Sequence, residues 1–362
     1  MQEVAKLGDR KDIRSDLLTN RSHTGCPARR DGKGWPWASH FDYTVARWCP
    51  HEPATLGFVI RSRADAQNKI LVSGASGFIA AALIPALIEQ GRQVFQLTRG
   101  KPSHPRQIQW NPSEPIDPES VSGFDAIIHL AGESIFGLWT AAKKRRILDS
   151  RDLGTRHLAA ALGQTSAPPR VFVSASAIGY YGNRGDEILR EDAKAGTGFL
   201  AEVCEVWEAG THPAKTAGIR VVHPRFGLVL SASGGALKRM LLPFRLGLGG
   251  KLGRGHQWWS WIDVKDVIGA MLHLLGNEML QGPINMVAPN PVTNAEFTRT
   301  LASFLSRPAI LPIPAFAIRV ALGEMGQELL LSSQRVEPAK LMASGYQFES
   351  PTLKTALNKI LQ

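Results

Sequence analysis

Two glycines three residues apart, Gly74 and Gly77, lie between a short apolar run, Ile70-Leu71-Val72, and an apolar series at helical spacing, Phe78, Ile79, Leu83, Leu87 and Ile88. A strand, a glycine turn and a helix in that order can cradle a pyrophosphate. Gly74 allows the tight turn. Gly77 lets the backbone approach the phosphates, and the helix N-terminus favours their charge. Ala80 takes the third small position, where helix packs on strand. The chemistry served is that of a dinucleotide, with Gly74, Ser76, Gly77, Phe78 and Ile79 expected against it. The next apolar strand ends Leu97-Thr98-Arg99-Gly100 and offers no carboxylate to ribose hydroxyls. Arg99 stands where a 2′-phosphate would sit, and a guanidinium suits a phosphate bidentately. The reading is therefore NADP(H) over NAD(H).

The elements that would position these residues follow a regular order from Lys69. Strands are expected at Ile70–Ser73, Gln93–Thr98, Ala126–Leu130, Val171–Ser174 and Arg220–Pro224, with a short one at Ile108–Trp110. Helices are expected over Gly77–Gln90, Thr140–Leu162 and Phe199–Ala217. Alternating strands and helices predict an α/β fold with a doubly wound parallel sheet. Residues 69–230 would form the Rossmann-like, NADP-binding domain, its sheet completed by a later strand at Ile284–Val287. Residues 231–362 would form a smaller α+β lobe facing the substrate. In that lobe Asp263 or Asp266 is expected to cap a helix ending at Leu275. Thr293 with Glu296 reads as a capping box, and Ser350-Pro351 as the N-cap and first residue of a final helix.

Residues 1–68 differ. They are rich in Arg, Asp, Gly, His and Trp, hold no period of 2 or 3.6, and read as an irregular extension. His23, Cys26, Cys49 and His51 fit no common structural-zinc spacing, so no metal is expected. Three cysteines in 362 residues make no disulfide framework and suit a reducing, cytoplasmic setting. The first 25 residues hold no apolar run of a secretory signal, and no stretch reaches the length of a membrane span. The net charge of +11 could suggest nucleic acid, but the cations are scattered. The densest run, Lys143-Lys144-Arg145-Arg146, reads as a solvated helix face. Neither a nucleic acid nor a membrane is expected as partner. A basic surface also suits an anionic cofactor or substrate.

His129-Leu130-Ala131-Gly132, Ser174-Ala175-Ser176 and Tyr180-Tyr181-Gly182 resemble an extended short-chain dehydrogenase/reductase. The match narrows through Glu133, Trp139, Ser150-Arg151, Trp207-Glu208, Arg225–Leu230, Trp261–Asp266 and Asn285–Thr293 to the atypical "epimerase family". It covers about Lys69 to Gln362. The resemblance implies that Leu130, Ala131, Gly132, Glu133 and Ser174 line the cofactor and that Ser176 holds the substrate oxygen. The superfamily's chemistry also needs a Tyr followed four residues later by a Lys, whose charge lowers the phenol's pKa for proton exchange.

That pair is missing. The tyrosines are Tyr43, Tyr180, Tyr181 and Tyr346, and the residues four on are Arg47, Arg184, Gly185 and Ser350. Where the pair should fall, the chain has Phe199 or Leu200, and then Val203 or Cys204. Cys204 reads as a buried apolar thiol. Tyr180 or Tyr181 could replace the lost acid, and Glu133 could serve as a base. The alternatives are ring packing for the tyrosines and a loop-capping carboxylate for Glu133. Glu208 reads as one half of a structural ion pair. Arg225 and the cations between Lys238 and Arg254 could hold an anionic substrate group. The expectation is an atypical oxidoreductase or epimerase-like enzyme for a small polar or phosphorylated substrate, with Ser176 and Tyr180 as its catalytic candidates. The alternative is a non-catalytic NADP(H)-binding sensor or interaction protein.

Overall fold

The computed structural model describes residues 68–362. The readings made for residues 1–67, including His23, Cys26, Cys49 and His51, lie outside the described residues. The order of elements is β1 (Lys69–Ser73), α1 (Phe78–Glu89), β2 (Gln93–Thr98), β3 (Gln107–Gln109), β4 (Ala126–His129), α2 (Ala141–Gln164), β5 (Val171–Ser174), β6 (Ser176–Ala177), β7 (Ile188–Leu189), α3 (Phe199–Ala209), α4 (His212–Thr216) and β8 (Arg220–Phe226). There follow β9 (Leu228–Leu230), α5 (Gly235–Arg245), β10 (Trp258–Trp259), β11 (Trp261–Asp263), α6 (Val264–Gly276), β12 (Gly282–Met286), β13 (Val292–Thr293), α7 (Asn294–Phe304), α8 (Ala315–Leu330), β14 (Arg335–Val336), α9 (Ala339–Ala343) and α10 (Leu353–Leu361).

The main sheet has the order β12-β8-β5-β4-β1-β2-β3, with β6 also paired to β8, and every pairing is parallel. It is the doubly wound sheet read from the sequence, and β12 completes it from the second half of the chain. Strand residues alternate between faces. Ile70 and Val72 pack with Leu83, Leu87, Met271 and Leu274 of α1 and α6. Leu71, Ile127 and Phe172 face Leu158 and Leu162 of α2 and Ala214 of α4. A sheet covered on both faces explains the unbroken apolar runs of β4 and β5. The chain reverses direction across the sheet between β1 and β4, and the crevice at such a switch point is where α/β folds bind ligands. A separate core of Leu237, Leu241, Phe244, Trp259, Trp261, Phe297, Leu301 and Leu357 holds the C-terminal lobe together.

Three expected elements differ. The helix expected over Phe199–Ala217 is two, α3 and α4, because Gly210 ends the first and Pro213 sits in the first turn of the second. β8 runs past Pro224 to Phe226. On one side β5 pairs only as far as Val222 and β6 resumes at Arg225, so Pro224 falls in the gap, where its missing N–H breaks no ladder bond. The last helix is capped by Thr352 in a capping box with Thr355, not by Ser350. Ser350 is wholly buried. Its hydroxyl donates to Asp263 (3.0 Å) and its N–H to Asp266 (2.9 Å). Asp263 rather than Asp266 caps α6, accepting from the Lys265 N–H.

Candidate functional site

The glycine turn adopts the geometry the cradle needs. Gly74 has φ of +70°, and a Cβ placed there would lie 2.7 Å from the Ala131 nitrogen. The turn after β1 and the Leu130–Gly132 segment after β4 therefore touch through backbone. The Gly77 N–H donates to the Gly74 carbonyl (2.8 Å). Gly77 then caps α1 with no side chain, which leaves the first amides of the helix open toward an anion. Ser76 and Gly77 are exposed. Beneath the turn, wholly buried His129 bridges Ser73 Oγ (2.6 Å) and Thr155 Oγ1 (3.1 Å). Burial holds its pKa down at about 4, so the ring is neutral and serves as a strut.

Arg99 follows β2, one strand from the glycine turn, and is exposed. Its charge reaches Glu133. The donor set fits a phosphate-bearing dinucleotide: open helix amides for the pyrophosphate, and a guanidinium with no carboxylate at the end of β2.

Next to this cradle lies a cavity of about 420 Å³. Phe78 and Ile79 at the start of α1 form part of its wall, and α3 contributes Leu200, Val203, Cys204 and Trp207. Phe226 lines it from β8, Leu228 and Val229 from β9, and Met240, Trp259 and Leu330 from the second lobe. Two acidic contacts fasten α8 over it. Glu328 accepts from the Phe199 and Leu200 amides (2.8 and 2.9 Å), capping α3 from outside, and Glu324 pairs with Lys144 (2.9 Å).

The structure places several of the expected site residues elsewhere. Arg225 is not available to a substrate. It is 2% exposed, bound by both arms to Glu208 (2.7 and 2.8 Å), and donates to the Tyr181 hydroxyl (3.0 Å). Burial alone would lower its pKa, but the Glu208 carboxylate overrides this and holds it above the ordinary value. Glu208 is thus the structural ion-pair partner that the sequence suggested. Tyr180 lies with its ring 3.5 Å from the Arg225 guanidinium and is not part of the cavity wall. Tyr181 is buried and donates to Asn285 (2.7 Å), and burial pushes its pKa up to about 12.

Ser176 does line the cavity, but its hydroxyl donates to Glu208 (2.7 Å). It can accept from a ligand, not donate to a substrate oxygen. Ser174 is wholly buried at the end of β5, outside the cavity wall, and its hydroxyl has no partner among the described residues. Glu133 is bound by Lys143 (2.6 Å), which holds its carboxyl below the ordinary value, so it is a poor base. Its backbone N–H is fixed by Ser150 (2.9 Å). Cys204 is buried, and burial raises its thiol to about 11.

Sequence reasoning gave no site role to two residues, one of them Arg151, which it used only for the resemblance. Glu328 lies far from α3 in sequence, and nothing local marks it. Arg151 faces the cavity from the buried stripe Ile147, Arg151, Thr155 and Leu158 of α2. A charge on that apolar stripe was the available signal. Its guanidinium lies 4.8 Å from the Trp207 ring, and a Cβ on Gly132 would come within 3.2 Å of it.

A doubly wound parallel sheet, a glycine turn at its switch point and a lobe closing a cavity beside it define an extended short-chain dehydrogenase/reductase fold. The chain belongs to the NAD dependent epimerase/dehydratase family, whose model matches residues 70–287, and a domain of unknown function, DUF1731, matches residues 313–360. An epimerase family protein of Mycobacterium leprae is 39% identical over 82% of this chain and 97% of its own length. The crystal structure of human epimerase family protein SDR39U1 with NADPH has a TM-score of 0.74 at 35% identity, covering 81% of this chain and 98% of that one. A nucleoside-diphosphate sugar epimerase from Corynebacterium glutamicum has a TM-score of 0.69 at 35% identity, covering 82% of this chain and 59% of that one. Among the described residues no helix is long and apolar enough to cross a membrane, and no cluster of His, Cys, Asp or Glu could hold a metal.

Proposed function

We propose that the protein binds NADP(H) and transfers hydride between the cofactor and a small molecule held in the cavity, without the Tyr-x-x-x-Lys pair of its superfamily. One observation carries this reading. Phe78 and Ile79 belong both to the glycine-turn helix start and to the cavity wall, so a dinucleotide seated on the turn would direct its far end into the cavity. Arg99 favours the phosphate-bearing form, in keeping with the human relative crystallised with NADPH. The bound cofactor would supply or accept the hydride. The chain's own residues orient the substrate and exclude water, through the apolar side chains of α3, β9 and α5. The Cys204 thiol is pushed to about 11 and Glu328 is held by two amides, so neither supplies the proton. The occupant is a small molecule rather than a nucleic acid, and the setting is reducing and cytoplasmic.

A second reading, a non-catalytic NADP(H)-binding sensor, is favoured by the engagement of Ser176, Glu133, Tyr181 and Arg225 in internal contacts. The test follows NADPH absorbance with a panel of aldehydes and ketones, beside a direct NADPH titration. Turnover on any of them supports the enzyme. NADPH binding without turnover favours the sensor, and no NADPH binding refutes both.

A further inference from the structure

The polar groups of the cavity are unequally engaged. Two of its acceptors are occupied: Glu328 by two backbone amides, and the Gln334 carbonyl by the Ser260 hydroxyl (2.7 Å). Most of its side-chain donors, those of Ser176, Ser332, Gln334 and Trp258, are spent on internal acceptors, and Arg151 is an exception. Arg151 is 9% exposed, and both of its hydrogen bonds come from one nitrogen, Nη1, to the Glu133 and Ile147 carbonyls (3.0 and 3.2 Å). Among the described residues no carboxylate pairs with it, and Nε and Nη2 have no partner. A buried charge or donor without a partner is costly, and native interiors rarely leave one so. The guanidinium is also held still, between Gly132 and the Trp207 ring.

We infer that Arg151 binds the carboxylate of an otherwise apolar substrate. This deepens the proposed function and rests on it for the word substrate. A carboxylate is an acceptor-only group that matches the guanidinium fork. Leu200, Val203, Leu228 and Met240 of the cavity wall give little to the hydroxyls of a sugar and much to an aliphatic or aromatic body. The polar or phosphorylated substrate suggested by Arg225 loses its support, because that guanidinium is engaged by Glu208.

The test uses three probes of one shape, phenylacetate, phenylacetamide and 2-phenylethylammonium, titrated against the full chain without cofactor and followed by tryptophan fluorescence. Phenylacetate is expected to bind at least about tenfold more tightly than the other two, the value of one charged hydrogen bond. Arg151→Gln abolishes that preference, and Arg151→Lys, which keeps the charge and loses the fork, retains part of it. NADPH affinity in both variants stays within about threefold of the parent, well under the tenfold worth of one such bond, which also reports that they fold. Equal binding of the three probes to the parent, or no binding at millimolar concentration, overturns the inference. So does a loss of NADPH affinity in Arg151→Gln as large as the loss for phenylacetate, which would assign the guanidinium to the cofactor. Failure of the parent to bind NADPH would refute the proposed function while leaving a carboxylate preference standing.

Discussion

Replacing Arg225 by methionine tests whether this guanidinium is structural. Arg225 and Glu208 side chains are 3% and 13% exposed, so solvent screens them little. Arg225→Met leaves the Glu208 carboxylate buried, with the Ser176 hydroxyl as its one remaining partner among the described residues. Breaking a buried pair from one side costs about 3–5 kcal/mol. The Tyr181 hydroxyl keeps Asn285, so its loss adds at most about 1 kcal/mol. Replacing both charges, Arg225→Met with Glu208→Leu, removes the uncompensated ion and should recover most of that loss, since apolar groups of similar volume often substitute for a buried pair without net cost. Urea denaturation of the four proteins gives the cycle, with the midpoint shifting at constant slope. NADPH titration of the double variant should match the parent. A single variant destabilised by less than about 1 kcal/mol, a surface-pair value, with ligand binding lost, would refute the reasoning and restore Arg225 to the site.

His129 is wholly buried and His223 half-buried, and desolvation lowers each to a pKa of about 4. The unfolded chain takes up protons near pH 6.5 while the folded chain does not, so stability falls as pH drops from about 6.5 toward 4. The loss approaches about 3 kcal/mol per histidine at pH 4, read from urea midpoints across pH, and a flat profile over that range would contradict it. Gly74→Ala forces a side chain into φ of +70° and 2.7 Å from the Ala131 nitrogen, so it should destabilise the fold by at least about 1 kcal/mol and weaken NADPH binding together. Cys204 should resist iodoacetamide at neutral pH in the native protein, because burial raises its thiol to about 11. Mass spectrometry of the labelled chain checks this.

The framework was legible where local pattern and tertiary role coincide. β1, β4 and β5 are apolar runs because both sheet faces are covered, and Gly74 is required by the backbone contact its turn makes with Ala131. Arg225 misled because nothing in the chain near it announces Glu208, which folds back from α3 to close both arms of the guanidinium. Ser176, expected to hold a substrate oxygen, lines the cavity, but the direction of its hydrogen bond is set by that same Glu208. Tyr180 and Tyr181 follow a strand end, as a proton donor would, yet they pack on Arg225 and Asn285 away from the cavity wall. Arg151 was passed over for the opposite reason. It sits inside a helix rich in cations, and only the position of the buried stripe separates it from Lys143, Lys144 and Arg146.

The central claim, a cradle built for the phosphate-bearing dinucleotide, is tested most directly by equilibrium dissociation constants of NADPH and NADH for the parent and for Arg99→Ala. The account predicts that the parent binds NADPH at least about tenfold more tightly than NADH, and that Arg99→Ala removes the difference by weakening NADPH alone. Equal or tighter binding of NADH by the parent, or an undiminished preference in Arg99→Ala, would contradict it.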